Sequence, residues 1–170
     1  IEAGIENRTF GYASLALPED TDPSEIRAAV EGFDPEAVLT VGIGGSSLGA
    51  ETITGALGCS GHHTLDNVDP VETARVLDDL PLESTLVNVV SRSGTTAETL
   101  ANFLVVREAM DDAGVEWTER TVVTTGESGP LRELAEEHDL PTCSVPEGVP
   151  GRFSALSAVG LLPAAALGCD

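Results

Sequence analysis

The sequence predicts an α/β fold: a three-layer αβα sandwich, doubly wound, with a five-stranded parallel sheet between two layers of helices. Three observations carry this expectation. Short apolar, β-branched runs alternate along the chain with segments of helical period. The runs are apolar almost throughout, as strands covered on both faces must be. Glycines and hydroxyls collect just after them, at the carboxyl rim where parallel sheets bind ligands.

Taken in order, the first 35 or so residues read as a leading arm, with "DPSEIRAAVEGF" as a capped helix. "AVLTVGIG" (37–44) is the first buried strand, and "SLGAETITGAL" the helix after it. "HTLDNV" gives a second strand and "PVETARVLDDL" a helix with proline in its first turn. "STLVNVVS" is the third strand. The long helix after it is expected to begin near Thr95, where Thr95 and Glu98 make a capping box. Glu98, Asn102 and Glu108 are assigned to its polar side, and Leu100, Ala101 and Leu104 to its apolar side. "RTVVTT", "GPLRELAEEH" and "PTCSV" repeat the unit, and "RFSALSAVGLLPAAAL" closes it as an apolar helix. The four loops "GIGGSS", "DNVD", "SRSGTT" and "TTGESG" then share one edge of the sheet.

Charge bounds the function. Asp and Glu number 29 against 8 basic residues, all arginine, for a formal charge of −21. Such an excess argues against nucleic acid, which requires a basic footprint. No apolar run approaches the ~20 residues of a membrane span, so no membrane partner is expected. The carboxylates are spread along a chain with ordinary apolar content, which suits a cytoplasm rich in salt. There the Debye length shrinks to about 3 Å and self-repulsion is muted. Cys59, Cys143 and Cys169 show no close pairing and read as reduced, partly buried thiols of a reducing compartment. His62 and His63 lie near Cys59, but no second cluster completes a metal site. The absence of an initial methionine and the ending "AAALGCD" read as a piece cut from something longer.

The stretch "SRSGTTAE" holds more hydroxyls than a helix start requires. Capping explains Thr95, Glu98 and Gly94; it leaves Ser91, Arg92, Ser93 and Thr96 without a task. A phosphate group uses all of them. Helix N-termini present unpaired N–H groups and partial positive charge, hydroxyls add neutral donors, and glycine admits close approach. Arg92 supplies the loop's one fixed cation. In "VGIGGSSLGAE", Gly42 and Gly44 after a strand, with Asp66 beyond, also permit a dinucleotide-binding reading. The third glycine of that fingerprint falls on Ser47, and a plain strand-to-helix turn is the other alternative.

Together, "GIGGSSLG" (42–49), "DNVDP" (66–70), "SRSGTTAET" (91–99) and "PGRFSALSAVG" (150–160) resemble the glucose-6-phosphate isomerase family in order and spacing. "GYASLALPED" adds a loose echo in the arm. The resemblance implies a sugar isomerase (SIS) fold over 36–170, the first domain of a larger enzyme that interconverts glucose 6-phosphate and fructose 6-phosphate through an enediolate. It implies that Ser91, Arg92, Ser93, Gly94, Thr95 and Thr96 hold the substrate phosphate and that Gly45 and Ser46 line the sugar. Arg152 matches the arginine that steadies the enediolate. No cofactor or metal is implied; the full-length protein is expected to be a homodimer. Departures are Arg92 where the family usually has lysine, Gly94 where it has a bulky residue, and Pro150-Gly151 where it has paired glycines.

In the family the base glutamate, ring-opening histidine and late lysine lie beyond the stretch matched here. His62, His63 and His138 do not sit in that histidine's context and read as surface or sheet-edge residues. The isolated chain is therefore expected to bind sugar phosphate weakly without turnover. Two other functions compete: a non-catalytic sugar-phosphate sensor of the same fold, which would have no use for "GRFS", and a nucleotide-dependent oxidoreductase, which would have none for "SRSGTT".

Overall fold

The computed structural model describes residues 1–169. Five strands form one parallel sheet: β1 (Ala37–Val41), β2 (His62–Leu65), β3 (Thr85–Ser91), β4 (Thr121–Thr125) and β5 (Thr142–Ser144). Their order is β2-β1-β3-β4-β5. All four pairings are parallel, for example Leu39 with Val87 and Val89 with Val123. The α/β sandwich expected from the alternating runs is the fold observed.

The helices are α1 (Glu2–Glu6), α2 (Leu17–Asp20), α3 (Pro23–Ala29), α4 (Leu48–Leu57), α5 (Pro70–Asp78), α6 (Ala97–Asp112), α7 (Pro130–Glu137) and α8 (Ala158–Ala166). Because strand side chains alternate, the sheet divides its apolar residues between two cores. Leu39, Val41, Val87, Val89 and Val123 meet Phe103, Val106 and Met110 of α6 and Leu131 and Ala135 of α7. Val38, Leu86 and Val122 face the other way, onto Ile26 and Val30 from the α3 region and Ala158 and Leu162 of α8. Thus α3, capped by Asp22 as its sequence suggested, belongs to a helical layer and not only to an arm.

Three local expectations are overturned. Helix α6 starts one residue later than expected: Thr96, not Thr95, is its N-cap, and the Thr95–Glu98 capping box does not form. The assigned faces of α6 hold for Glu98 and Glu108, which are exposed, but fail at Asn102, which is buried, and at Ala101 and Leu104, which are exposed, Leu104 by 60%. The Asn102 amide donates to the Asn67 carbonyl (2.9 Å), so a polar residue earns its buried place by a specific partner. Finally, Cys59 and Cys169 are joined as a disulfide. Sequence separation hid this, whereas α4 packs against α8 and brings the residues just past both helix ends to a Cα separation of 6.1 Å. Only Cys143 remains a buried free thiol among the described residues, pushed up to about 11 chiefly by burial.

His62 and His63 lie on the edge strand β2, and His138 sits exposed at the end of α7 against Trp117. His62 is held between two threonines: Thr40 Oγ1 lies 2.9 Å from Nε2 and Thr54 Oγ1 2.9 Å from Nδ1. Thr54 donates its own proton to the Ala50 carbonyl (2.8 Å), so it accepts from Nδ1–H, and Nε2 accepts from Thr40. Burial pushes the His62 pKa down to about 4, with Glu51 opposing the shift and His63 adding to it. The folded pKa is thus below the unfolded value of about 6.5. The stabilisation is complete above pH ~6.5 and is lost as pH falls toward 4. Urea unfolding at high salt should show a wild-type midpoint that drops across this window more than that of His62→Gln; parallel pH profiles would contradict the assignment.

Candidate phosphate site at the carboxyl rim

Strand β3 ends at buried Ser91, and the next five residues turn into α6. Gly94 takes φ +67°, a left-handed conformation that costs an L-residue about 1–2 kcal/mol. Its N–H returns to the Ser91 carbonyl (3.1 Å) and closes the turn. The Ser91 and Thr96 hydroxyls lie 2.9 Å apart. Ser93 Oγ accepts from the N–H and the hydroxyl of Thr95 (3.2 and 3.0 Å). Thr96 stands at the N-cap position, yet its side chain caps no amide. A cap bond is worth about 1 kcal/mol. This loop forgoes it and leaves the first-turn N–H groups of a 16-residue helix without a side-chain acceptor.

The neighbouring strand braces this turn from behind. Thr125 Oγ1 donates to the Ser91 carbonyl (2.7 Å), and the Gly126 N–H donates to that of Arg92 (3.2 Å). A β-carbon at Gly126 would lie 2.7 Å from the Arg92 carbonyl oxygen, and one at Gly129 2.9 Å from that of Ser93. Both glycines let the β4–α7 loop approach. Arg92 itself is exposed, with its guanidinium carbon 5.9 Å from the Phe10 ring centre. It lines a cleft of about 260 Å³ with Glu127 and Glu147. Its charge therefore stands beside the hydroxyl turn, in a cleft that those hydroxyls do not line.

The second loop follows β1. Residues Gly44–Ser46 form a 3-10 turn before α4, with Gly44 at φ +57°. The Ser46 hydroxyl has no partner among the described residues. One side of Gly45 is occupied by the 3-10 turn Gly151–Phe153, which carries Arg152. A β-carbon at Gly42 would lie 3.0 Å from the Val90 carbonyl oxygen, so this loop also abuts the end of β3. Hence the sequence-selected residues from three distant segments converge on the carboxyl ends of β1 and β3. Arg152 is exposed, makes no ion pair among the described residues, and lies 4.9 Å over the Phe153 ring. Larger clefts, about 400 Å³ between α5 and α6 and about 360 Å³ between the leading segment and β5, lie away from these groups.

Sequence reasoning missed Ser154. It is buried, donates to the Gly151 carbonyl (2.7 Å) and lies 3.4 Å from the Gly45 carbonyl. It stands within "GRFS", yet the sequence assigned it no task, because the atoms it meets are backbone carbonyls. No group of three or more metal-type ligands occurs among the described residues.

The parallel sheet, its two helical layers and the hydroxyl-rich rim define a sugar isomerase type of fold. Residues 29–170 match the family described as phosphoglucose isomerase, and the chain belongs to that family. It is 81% identical over 170 residues to a probable glucose-6-phosphate isomerase from Natronomonas pharaonis, covering 100% of this chain and 40% of the relative. A probable glucose-6-phosphate isomerase from Haloarcula marismortui is 67% identical with the same coverage. The crystal structure of a glucose-6-phosphate isomerase from Chlamydia trachomatis superposes with TM-score 0.72 at 32% identity, covering 88% of this chain and 28% of that one. The chain thus spans about 40% of the length of these curated relatives. Relatives from halophilic archaea accord with the acidic, lysine-free composition.

Replacing Gly94 tests whether the turn depends on its left-handed residue. A β-carbon there meets Leu131 and Thr125 at only 3.4 Å, so strain in φ dominates over collision. Gly94→Ala should lower unfolding stability by about 1–2 kcal/mol in a urea titration. An unchanged midpoint would show that the turn is not held in this conformation.

Proposed function

We propose that the longer protein containing this chain interconverts glucose 6-phosphate and fructose 6-phosphate, and that this chain supplies its phosphate site and one catalytic arginine. The observation carrying this reading is the mouth of α6: two hydroxyls 2.9 Å apart, and first-turn amides that no side chain caps. A phosphate dianion has acceptor oxygens for all of them. In this reading Ser91, Ser93 and Thr96 donate hydroxyl protons, Gly94 and Thr95 shape the turn, and Arg92 adds charge from its flank. Neutral donors suit a protein of charge −21, whose overall field repels the ligand wherever salt does not screen it.

With the phosphate held there, the sugar extends toward Gly45, Ser46 and Arg152. A base removes the C2 proton, negative charge passes to the sugar oxygens, and the Arg152 guanidinium stabilises the enediolate. The base, the ring-opening acid and a late lysine come from the rest of the longer protein, as its family implies. Residues 36–170, with α3 packed onto their sheet, then act as a first sugar isomerase domain preceded by the rest of the 1–35 segment, in a cytoplasmic homodimer. Alone, the chain binds sugar phosphate weakly and does not turn it over. The sensor alternative is less well supported, since the named relatives are isomerases and Arg152 is retained on the rim.

Steady-state kinetics of the full-length protein with fructose 6-phosphate test this. Arg152→Ala should lower kcat by about 10²–10³-fold with little change in KM, as expected for a group acting in the transition state. Thr96→Val should instead raise KM by about tenfold, the cost of a lost donor to a charged group. Wild-type kcat in Arg152→Ala, or an inactive wild-type protein, would contradict the reading.

A further inference from the structure

The segment carrying Arg152 is seated by close backbone approach. A β-carbon at Gly45 would lie 2.3 Å from the Gly151 carbonyl carbon and 2.6 Å from the Arg152 nitrogen. One at Gly49 of α4 would lie 2.9 Å from the Ala155 α-carbon, and one at Gly160 of α8 would lie 2.1 Å from the Ala155 carbonyl oxygen. Three glycines from two sides thus grip residues 151–155 where no side chain would fit. The buried Ser154 hydroxyl donates its one proton to the Gly151 carbonyl (2.7 Å), bracing the arginine turn from within, and packs 3.4 Å from the Gly45 carbonyl across the interface. Arg152 has no comparable tether. Its side chain is exposed, makes no hydrogen bond or ion pair among the described residues, and has its guanidinium carbon 4.9 Å from the centre of the adjacent Phe153 ring. Backbone placement is therefore what aims it.

We propose that Gly45 is a positioning residue for Arg152. Its missing β-carbon sets how deeply the Gly151–Phe153 turn seats against Gly44–Ser46, and the Ser154 bond to the Gly151 carbonyl keeps that turn in shape. The inference rests on the reading of Arg152 as the enediolate-stabilising group. It assigns Gly45 a task distinct from lining the sugar, exerted on kcat through another residue.

The contact is one-sided, which makes it testable. A β-carbon at Gly151 would lie 3.8 Å from the Gly45 α-carbon, an ordinary contact, and φ at Gly151 is not in the left-handed region. The same methyl group added to either side of one interface therefore has opposite consequences. At Gly45 it must push the arginine turn back by about 1 Å, and a misplacement of that size costs on the order of 10²-fold in rate. The three atoms nearest a Gly45 β-carbon all belong to the arginine turn and none to the phosphate turn at 91–96.

The experiment uses the full-length protein at high salt, with fructose 6-phosphate as substrate and thermal unfolding recorded for every variant. The wild type is measured first: if it is inactive, the isomerase reading itself fails, and this inference falls with it. With an active wild type, Gly45→Ala should lose kcat by about 100-fold while KM stays within about threefold. Gly151→Ala should keep both constants within about threefold. Should Gly45→Ala fail to fold, Ser154→Ala decides: a kcat loss of about tenfold at unchanged KM supports the proposal. Wild-type kcat in the folded Gly45→Ala protein, a rise in KM alone, or an equal loss in Gly151→Ala would each overturn it. So would wild-type kcat in Ser154→Ala.

Discussion

The hand-over from β3 to α6 governs the rest of the rim. A helix N-terminus carries unsatisfied N–H groups, and most chains silence some of them with a cap. Here the residue at the N-cap position turns its hydroxyl to Ser91 instead, 2.9 Å away, and leaves the helix mouth open. That choice forgoes about 1 kcal/mol of local stability. The turn survives the loss because it is braced from elsewhere: Gly94 supplies the left-handed residue, Thr125 holds the Ser91 carbonyl, and Gly126 donates to that of Arg92. An uncapped helix mouth is thus held by neutral groups within a strongly acidic protein.

The second constraint is spatial. Residues near 45, 91 and 152 are distant in the chain, and the parallel sheet brings two of these loops together by placing β1 beside β3. The third arrives from a segment with no strand of its own. It reaches the rim because glycines at 45, 49 and 160 let its backbone press against α4 and α8. Fold and site are coupled at this point: the same packing of α4 on α8 that closes one layer also sets the height of Arg152.

Much of this was legible in the sequence, for physical reasons that can be named. Apolar, β-branched runs such as "TVVTT" suit the doubly covered strands of a parallel sheet, so the class and the shared edge of the loops after its strands followed directly. The surplus of hydroxyls in "SRSGTT" marked the turn between β3 and α6, where the Ser91 and Thr96 hydroxyls do meet. What failed was detail decided by tertiary partners. A capping box at Thr95 is locally sound, but Ser93 engages the Thr95 hydroxyl and Ser91 that of Thr96. Asn102 reads as surface until the Asn67 carbonyl is seen to receive it. Cys59 and Cys169 lie 110 residues apart and meet only because α4 and α8 pack together. Ser154 meets main-chain carbonyls, which leave no trace in side-chain pattern.

Everything proposed for this rim depends on where the dianion rests. A crystal structure of the full-length protein with fructose 6-phosphate bound at high salt measures this directly. The phosphate oxygens should lie within hydrogen-bond distance of the Ser91, Ser93 and Thr96 hydroxyls and the first amides of α6. A phosphate bound elsewhere, with that turn occupied only by solvent, would contradict this placement.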